Sequence, residues 1–133
     1  MAREKTYKNE TDVKKEIKRL LDKHKWFHWV TPSNGMGSSG IPDRIAVRAG
    51  VILVIEAKFG KNRPTQLQKA FLQSIMAESG FGFVVNEATL PWLATWLETF
   101  DRAQNAVVGG EKPSHDDGGL LMEAVRVLTE QIV

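Results

Sequence analysis

The sequence predicts an α/β fold, a mixed central sheet flanked by helices, and three observations carry that reading. Apolar residues recur at helical spacing in residues 10–25, in 65–79 and again after Thr89. They alternate, or run unbroken, in 26–31, 43–48, 51–57 and 81–85, as strands do. Gly, Pro, Ser and Asn gather between these segments. The element order is therefore helix, three strands, helix, strand, helix. With 133 residues, 42% of them hydrophobic, the chain has apolar surface enough for one modest core. It contains no cysteine, which excludes disulfide frameworks and cysteine-based zinc sites. The longest apolar run, Val51 to Ile55, is far too short to cross a bilayer, and the N-terminus is charged where a secretory signal turns apolar. We expect a cytoplasmic protein with no membrane partner.

The first helix, over 10–25, opens on Asn9 as N-cap and aligns Val13, Ile17, Leu20 and Leu21 on one face. Glu10, three residues before Val13, shares that face, whereas Glu16 points about 100° away from Ile17, toward the polar flank. A short strand follows from Trp26 to Thr31. Pro32 to Gly40 is a loop rich in Gly and Ser, and Gly40-Ile41-Pro42-Asp43 leads into the strand Arg44 to Arg48. Val51 to Ala57 is apolar on both faces until Glu56, the pattern of a strand covered on both sides.

Thr65 to Ser79 reads as a helix with Leu67, Ala70, Phe71, Ser74, Ile75 and Glu78 along one side and Gly80 to end it. Phe81 to Val85 is the fourth strand. Thr89 is placed to cap a helix bearing Leu93, Trp96, Leu97 and Phe100. Residues 106–119, with two Gly-Gly pairs and Asp116-Asp117, read as a flexible linker. Beyond them, residues 120–133 form an amphipathic helix carrying Leu121, Val125, Leu128 and Ile132. The expected organisation is thus a main folded domain over 1–105, a linker over 106–119 and a terminal helix over 120–133.

Charge is divided unevenly along the chain. Residues 1–69 hold 15 Lys and Arg against 7 Asp and Glu, and residues 70–133 hold 3 against 9. A basic half of this kind suits a phosphate backbone, although a solvated surface explains the charge alone equally well.

The chemistry lies where two strands meet. If 43–48 and 51–57 form a hairpin turning on Ala49 and Gly50, Arg48 faces Val51, Val47 faces Ile52, and Asp43 falls opposite Glu56. Lys58, two residues beyond Glu56, points to the same side. Like charges placed opposite one another destabilise a sheet unless a cation lies between them. Hard divalent ions take oxygen ligands, and Mg²⁺ is usually held by one or two carboxylates while keeping waters and substrate phosphate in its shell. Glu10 adds a third acid, and the Lys58 ammonium favours a hydroxide nucleophile and offsets charge in a phosphorane-like transition state.

Each residue also has a plain structural reading when taken alone. Glu56 can pair with Lys58, Asp43 can be a turn acid, and Glu10 is favoured by the helix dipole. Gln68, three residues after Thr65, completes a capping box. Arg44, Lys61 and Arg63 are candidates for touching a nucleic acid backbone, with Ser38 and Ser39 as phosphate contacts. His24, His28 and His115 show no zinc spacing. Trp26 and Trp29 are either base-stacking or core.

With Gly40-Ile41-Pro42-Asp43, Ile55-Glu56-Ala57-Lys58 and Gln68-Lys69-Ala70-Phe71, the sequence resembles the virus-type replication-repair nuclease (VRR-NUC) domains of the PD-(D/E)xK superfamily. The resemblance covers roughly residues 9–87, and Glu10-Thr11-Asp12-Val13-Lys14-Lys15 is similar to the start of small stand-alone phage members. It implies a restriction-endonuclease-like αβββαβ core and hydrolysis of DNA phosphodiesters with Mg²⁺ or Mn²⁺. By position it makes Asp43 and Glu56 metal ligands, joined by the Ala57 carbonyl, Lys58 the catalytic lysine, Glu10 the helix carboxylate and Gln68 the family's glutamine. It further implies a homodimer acting on branched DNA in replication, repair or recombination, in the bacterial host cytoplasm if phage-encoded. Glu16 stands as the alternative to Glu10. Two other readings compete with the nuclease: a DNA-binding module that keeps the fold without cleaving, and a protein-interaction adaptor working through the terminal helix.

Overall fold

The computed structural model describes residues 6–32 and 40–133. Four helices and a four-stranded mixed sheet make an α/β fold: α1 (Glu10–Lys23), β1 (Phe27–Val30), β2 (Arg44–Arg48), β3 (Val51–Ala57), α2 (Gln66–Ala77), β4 (Phe81–Val85), α3 (Leu90–Val108) and α4 (His115–Leu128). The sheet order is β1-β2-β3-β4. The first three strands are antiparallel in sequence, and β4 returns through α2 to lie parallel to β3. Arg48 pairs with Val51 and Arg44 with Ile55, the register expected of a hairpin on Ala49 and Gly50. Both turn residues have positive φ, 52° and 78°, as a tight hairpin requires.

Two apolar layers hold the sheet. On one face Leu53, Ile55, Ala57, Phe83 and Val85 pack against Val13, Ile17, Leu20 and Leu21 of α1 and Leu93, Trp96 and Leu97 of α3. Trp26 belongs to this core, its ring 5.8 Å from that of Trp96 and 5.1 Å from Phe100. On the other face α2 covers Val54 and Val84 with Leu72, flanked by Phe71 and Ile75. The helix is rotated from the face read in the sequence. Leu67 is exposed and Leu72 is fully buried, because Gly82 lets β4 approach the Leu72 backbone and so selects the 68, 72, 75 stripe. That rotation turns Gln68 toward the sheet.

The C-terminal third also differs from expectation. Of the residues expected to be a linker over 106–119, only 109–114 lie outside helices. Ser114 caps α4 by accepting the Asp117 N–H, and Asp116 and Asp117 suit the positive end of the helix dipole. These local terms, together with burial of Ala124 and Leu128, outweigh the two glycines inside the helix. Ile132, just past α4, enters the α2-side layer, and Gln73 Nε2 donates to its carbonyl at 2.8 Å. Thr89 occupies the N-cap position of α3 without capping through its side chain; Asn86 Oδ1 accepts the Ala88 and Thr89 N–H groups instead. No helix among the described residues is long and apolar enough to cross a membrane.

Candidate functional site

The end of the β2–β3 hairpin brings the acids together. Thr31 fixes the start of β2: its N–H donates to the Asp43 carbonyl at 3.0 Å and its hydroxyl to the Pro42 carbonyl at 2.5 Å. Asp43 Oδ2 accepts the Ala57 N–H at 2.7 Å. This holds Asp43 beside Glu56, close enough for each carboxyl to act on the other. Glu56 is 2% exposed. Burial, the hydrogen bond to Asp43 and the charge of Asp43 push its carboxyl up to about 9, with Lys58 opposing and Glu10 adding to the rise. Asp43, Glu56, Lys58 and Glu10 therefore share one electrostatic neighbourhood. Lys58 is anchored through its N–H to the Val85 carbonyl of β4, at 2.9 Å.

Gln68 joins the same cluster through both ends of its amide. Its Oε1 accepts the Thr65 N–H at 2.9 Å, completing the capping box, and its Nε2 donates to Glu56 Oε2 at 2.9 Å. The helix cap thus orients the group that binds the buried acid. Gly40 supports the arrangement from the other side. It sits at φ 73° and a Cβ there would stand 2.7 Å from Leu67 Cβ, so only glycine lets the Gly-x-Pro-Asp segment lie against α2.

Lys14 was not singled out in the sequence, yet its Nζ lies 3.2 Å from Glu10 Oε2 and 3.4 Å from Asp43 Oδ1. Burial lowers its pKa, but Asp43 and Glu10 outweigh this and the net shift is upward. The spacing offers only half of this: Glu10 and Lys14 are four apart on one helix and share its face, whereas the approach to Asp43 depends on where α1 lies over the sheet. Glu10 consequently reaches Asp43 only through Lys14, and among the described residues no group of three or more acidic or histidine side chains stands ready to hold a metal ion. Glu16 lies elsewhere. It is buried rather than on a polar flank, pairs with Arg19, and interacts with Tyr7, whose hydroxyl it pushes to a higher pKa after burial has done so.

Of the candidate DNA contacts, Lys61 and Arg63 lie exposed on the loop after Lys58. Arg44 is half-buried and donates to His28 Nδ1 at 2.7 Å, while His28 Nε2 contacts Asp22 at 2.6 Å. Ser38 and Ser39 fall outside the described residues. His24 is buried against Asp101, which also pairs with Arg48. Trp29 is exposed beside Phe27 on β1, the edge strand. The larger depressions lie away from the acids, one around Tyr7, Arg19 and Pro91 and one between α3 and α4. A small cleft of about 50 Å³ opens beside Lys14, Asp43 and Ala57.

A buried acid at a hairpin end thus lies beside a second acid, with a lysine two residues on and a glutamine of the next helix bonded to the buried acid. No curated protein matches the chain. A family model does: that of the archaeal Holliday junction resolvase, Hjc, matches residues 5–103 and so spans every acid and amine just described. The chain belongs to the Hjc family of PD-(D/E)xK nucleases.

Proposed function

We propose that this protein is a metal-dependent DNA endonuclease that cuts branched DNA, with Asp43 and Glu56 holding the ion. The observation that carries the reading is the apposition of these two carboxyls at the end of β3, with Glu56 buried. Two opposed acids are costly in a folded protein unless a proton or a cation neutralises them. The donor set fits a hard divalent ion such as Mg²⁺ or Mn²⁺, which takes oxygen ligands and is content with one or two carboxylates. The Ala57 carbonyl and Glu10 would complete the protein's share. Bound there, the ion would acidify water and stabilise charge on the phosphoryl oxygens.

The remaining roles belong to the chain. Lys58, two residues beyond Glu56 and near enough to act on its charge, would supply a positive charge where the attacking water loses its proton. Gln68 fixes the orientation of the Glu56 carboxyl, so that its lone pairs are aimed before substrate arrives. Lys61 and Arg63 track the phosphate backbone from the loop above. These groups all lie within residues 1–105, with the C-terminal helix as support. The GxPD, ExK and glutamine segments favour the small stand-alone VRR-NUC type within the superfamily, and a cytoplasmic role in replication, repair or recombination follows from a branched substrate.

Resolving a four-way junction takes incisions in two strands, and one chain supplies one site. We therefore assign a second copy of the chain to the sheet face left bare by α2, where Phe27, Trp29 and Ile52 are 72%, 42% and 45% exposed. The test of the whole reading is a panel of labelled single-stranded, duplex, flap and four-way DNAs with and without Mg²⁺ or Mn²⁺. We expect cleavage of the four-way DNA only with metal. Glu56→Gln and Lys58→Ala should each lower the rate at least a hundredfold while leaving gel-shift affinity within a few-fold. Cleavage by both variants at the wild-type rate removes the assignment, and binding without cleavage under any metal makes the protein a non-cleaving DNA-binding module.

A further inference from the structure

Lys14 lies where a third acid was expected to join the metal. Its ammonium is 3.2 Å from Glu10 and 3.4 Å from Asp43, the two carboxylates that would otherwise converge there. It also lines the small cleft beside Asp43 and Ala57, whose volume of about 50 Å³ is room for little more than one water or ion. The side chain is 44% exposed, so it is free to leave. Its neighbour on the helix, Lys18, makes an ordinary surface pair with Asp22 at 2.8 Å.

We propose that Lys14 is a tethered competitor for the divalent-cation site: its ammonium bridges Glu10 and Asp43 until an arriving metal ion displaces it into solvent. The inference rests on the metal reading of Asp43 and Glu56 and adds a regulator to it. An ion and the Lys14 ammonium compete for the same Asp43 and Glu10 oxygens, in a cleft of about 50 Å³ with room for one of them. The tethered charge neutralises the acids when no metal is bound, and it must be expelled before Glu10 can turn inward. Lys14 therefore raises the metal concentration at which the site fills. The exchange is one of cations only, with no bond made or broken in the protein.

The experiment measures Mn²⁺ binding to the full chain, without DNA, by titration calorimetry and by the loss of the free-ion paramagnetic signal. Lys14→Met should bind Mn²⁺ about fivefold more tightly than wild type, the size expected of removing one partly exposed ion pair. Lys18→Met removes the same charge from the same helix and should leave affinity unchanged. In the wild-type protein, the side-chain carbon resonance next to the Lys14 ammonium should shift on adding Mg²⁺, in step with site occupancy. Equal tightening in both lysine variants would reduce the effect to bulk charge and overturn the proposal. So would unchanged or weaker binding by Lys14→Met, or a Lys14 resonance indifferent to Mg²⁺. Uptake that persists in Asp43→Asn, or none in wild type and Lys14→Met alike, would instead overturn the metal site itself and the competitor with it.

Discussion

Glu56 is the residue on which the chemistry and the stability of the protein meet. Its folded pKa, about 9, stands above the ordinary 4.5 of the carboxyl, because it is buried beside Asp43. Between those values the folded state binds the proton and the unfolded state does not, so stability is greatest at the acid end and falls as pH rises toward 9. Urea unfolding in EDTA should therefore show wild type losing stability steadily from pH 5.5 to 8.5. Glu56→Gln, which cannot titrate, should be nearly flat over that range, and a wild type equally flat would mean that the Glu56 carboxyl is not held above its ordinary value. Much of this was legible in advance: the parity of the hairpin places Asp43 against Glu56 and Lys58 on the same side. The engagement of Lys14 was not, because a lysine one turn after an acid is the commonest of surface pairs, and only the position of α1 over the sheet end brings it to Asp43.

At the scale of elements, strand boundaries followed closely from period and turn residues, and β2, β3 and β4 have the expected limits. Helix faces were harder. In α2 several apolar residues compete for burial, and the choice of Leu72 over Leu67 is made by the contact with Gly82 of a distant strand. In α4 the glycines at 118 and 119 argued for a linker, and their propensity was overridden by the Ser114 cap and the buried Ala124 and Leu128. A Cβ added at either glycine meets nothing within 4 Å. Gly119→Ala should thus stabilise the protein by about 0.5–1 kcal/mol, through a less floppy unfolded chain and a better helix. Chemical denaturation would register it as a raised midpoint at constant slope.

For the whole molecule, the C-terminal helix is part of the core rather than an appendage. Leu128 is fully buried with α3 and the sheet, and Ile132 seals the layer under α2. Leu128→Ala should cost about 2–5 kcal/mol, read as a lower thermal midpoint, although it lies outside the cluster of Asp43, Glu56 and Gln68. A change no larger than that of an exposed site would return the helix to the status of a detachable tail. The sequence showed the apolar stripe of this helix but not what it packs on, since nothing local distinguishes a stripe that docks at home from one that awaits a visitor.

The close approach of Gly40 to Leu67 has a mechanical meaning. The segment that delivers one acid leans, backbone against backbone, on the first turn of the helix whose amide grips the other. Neither can drift by an ångström without pushing its neighbour, so the two halves of the pocket travel as one piece.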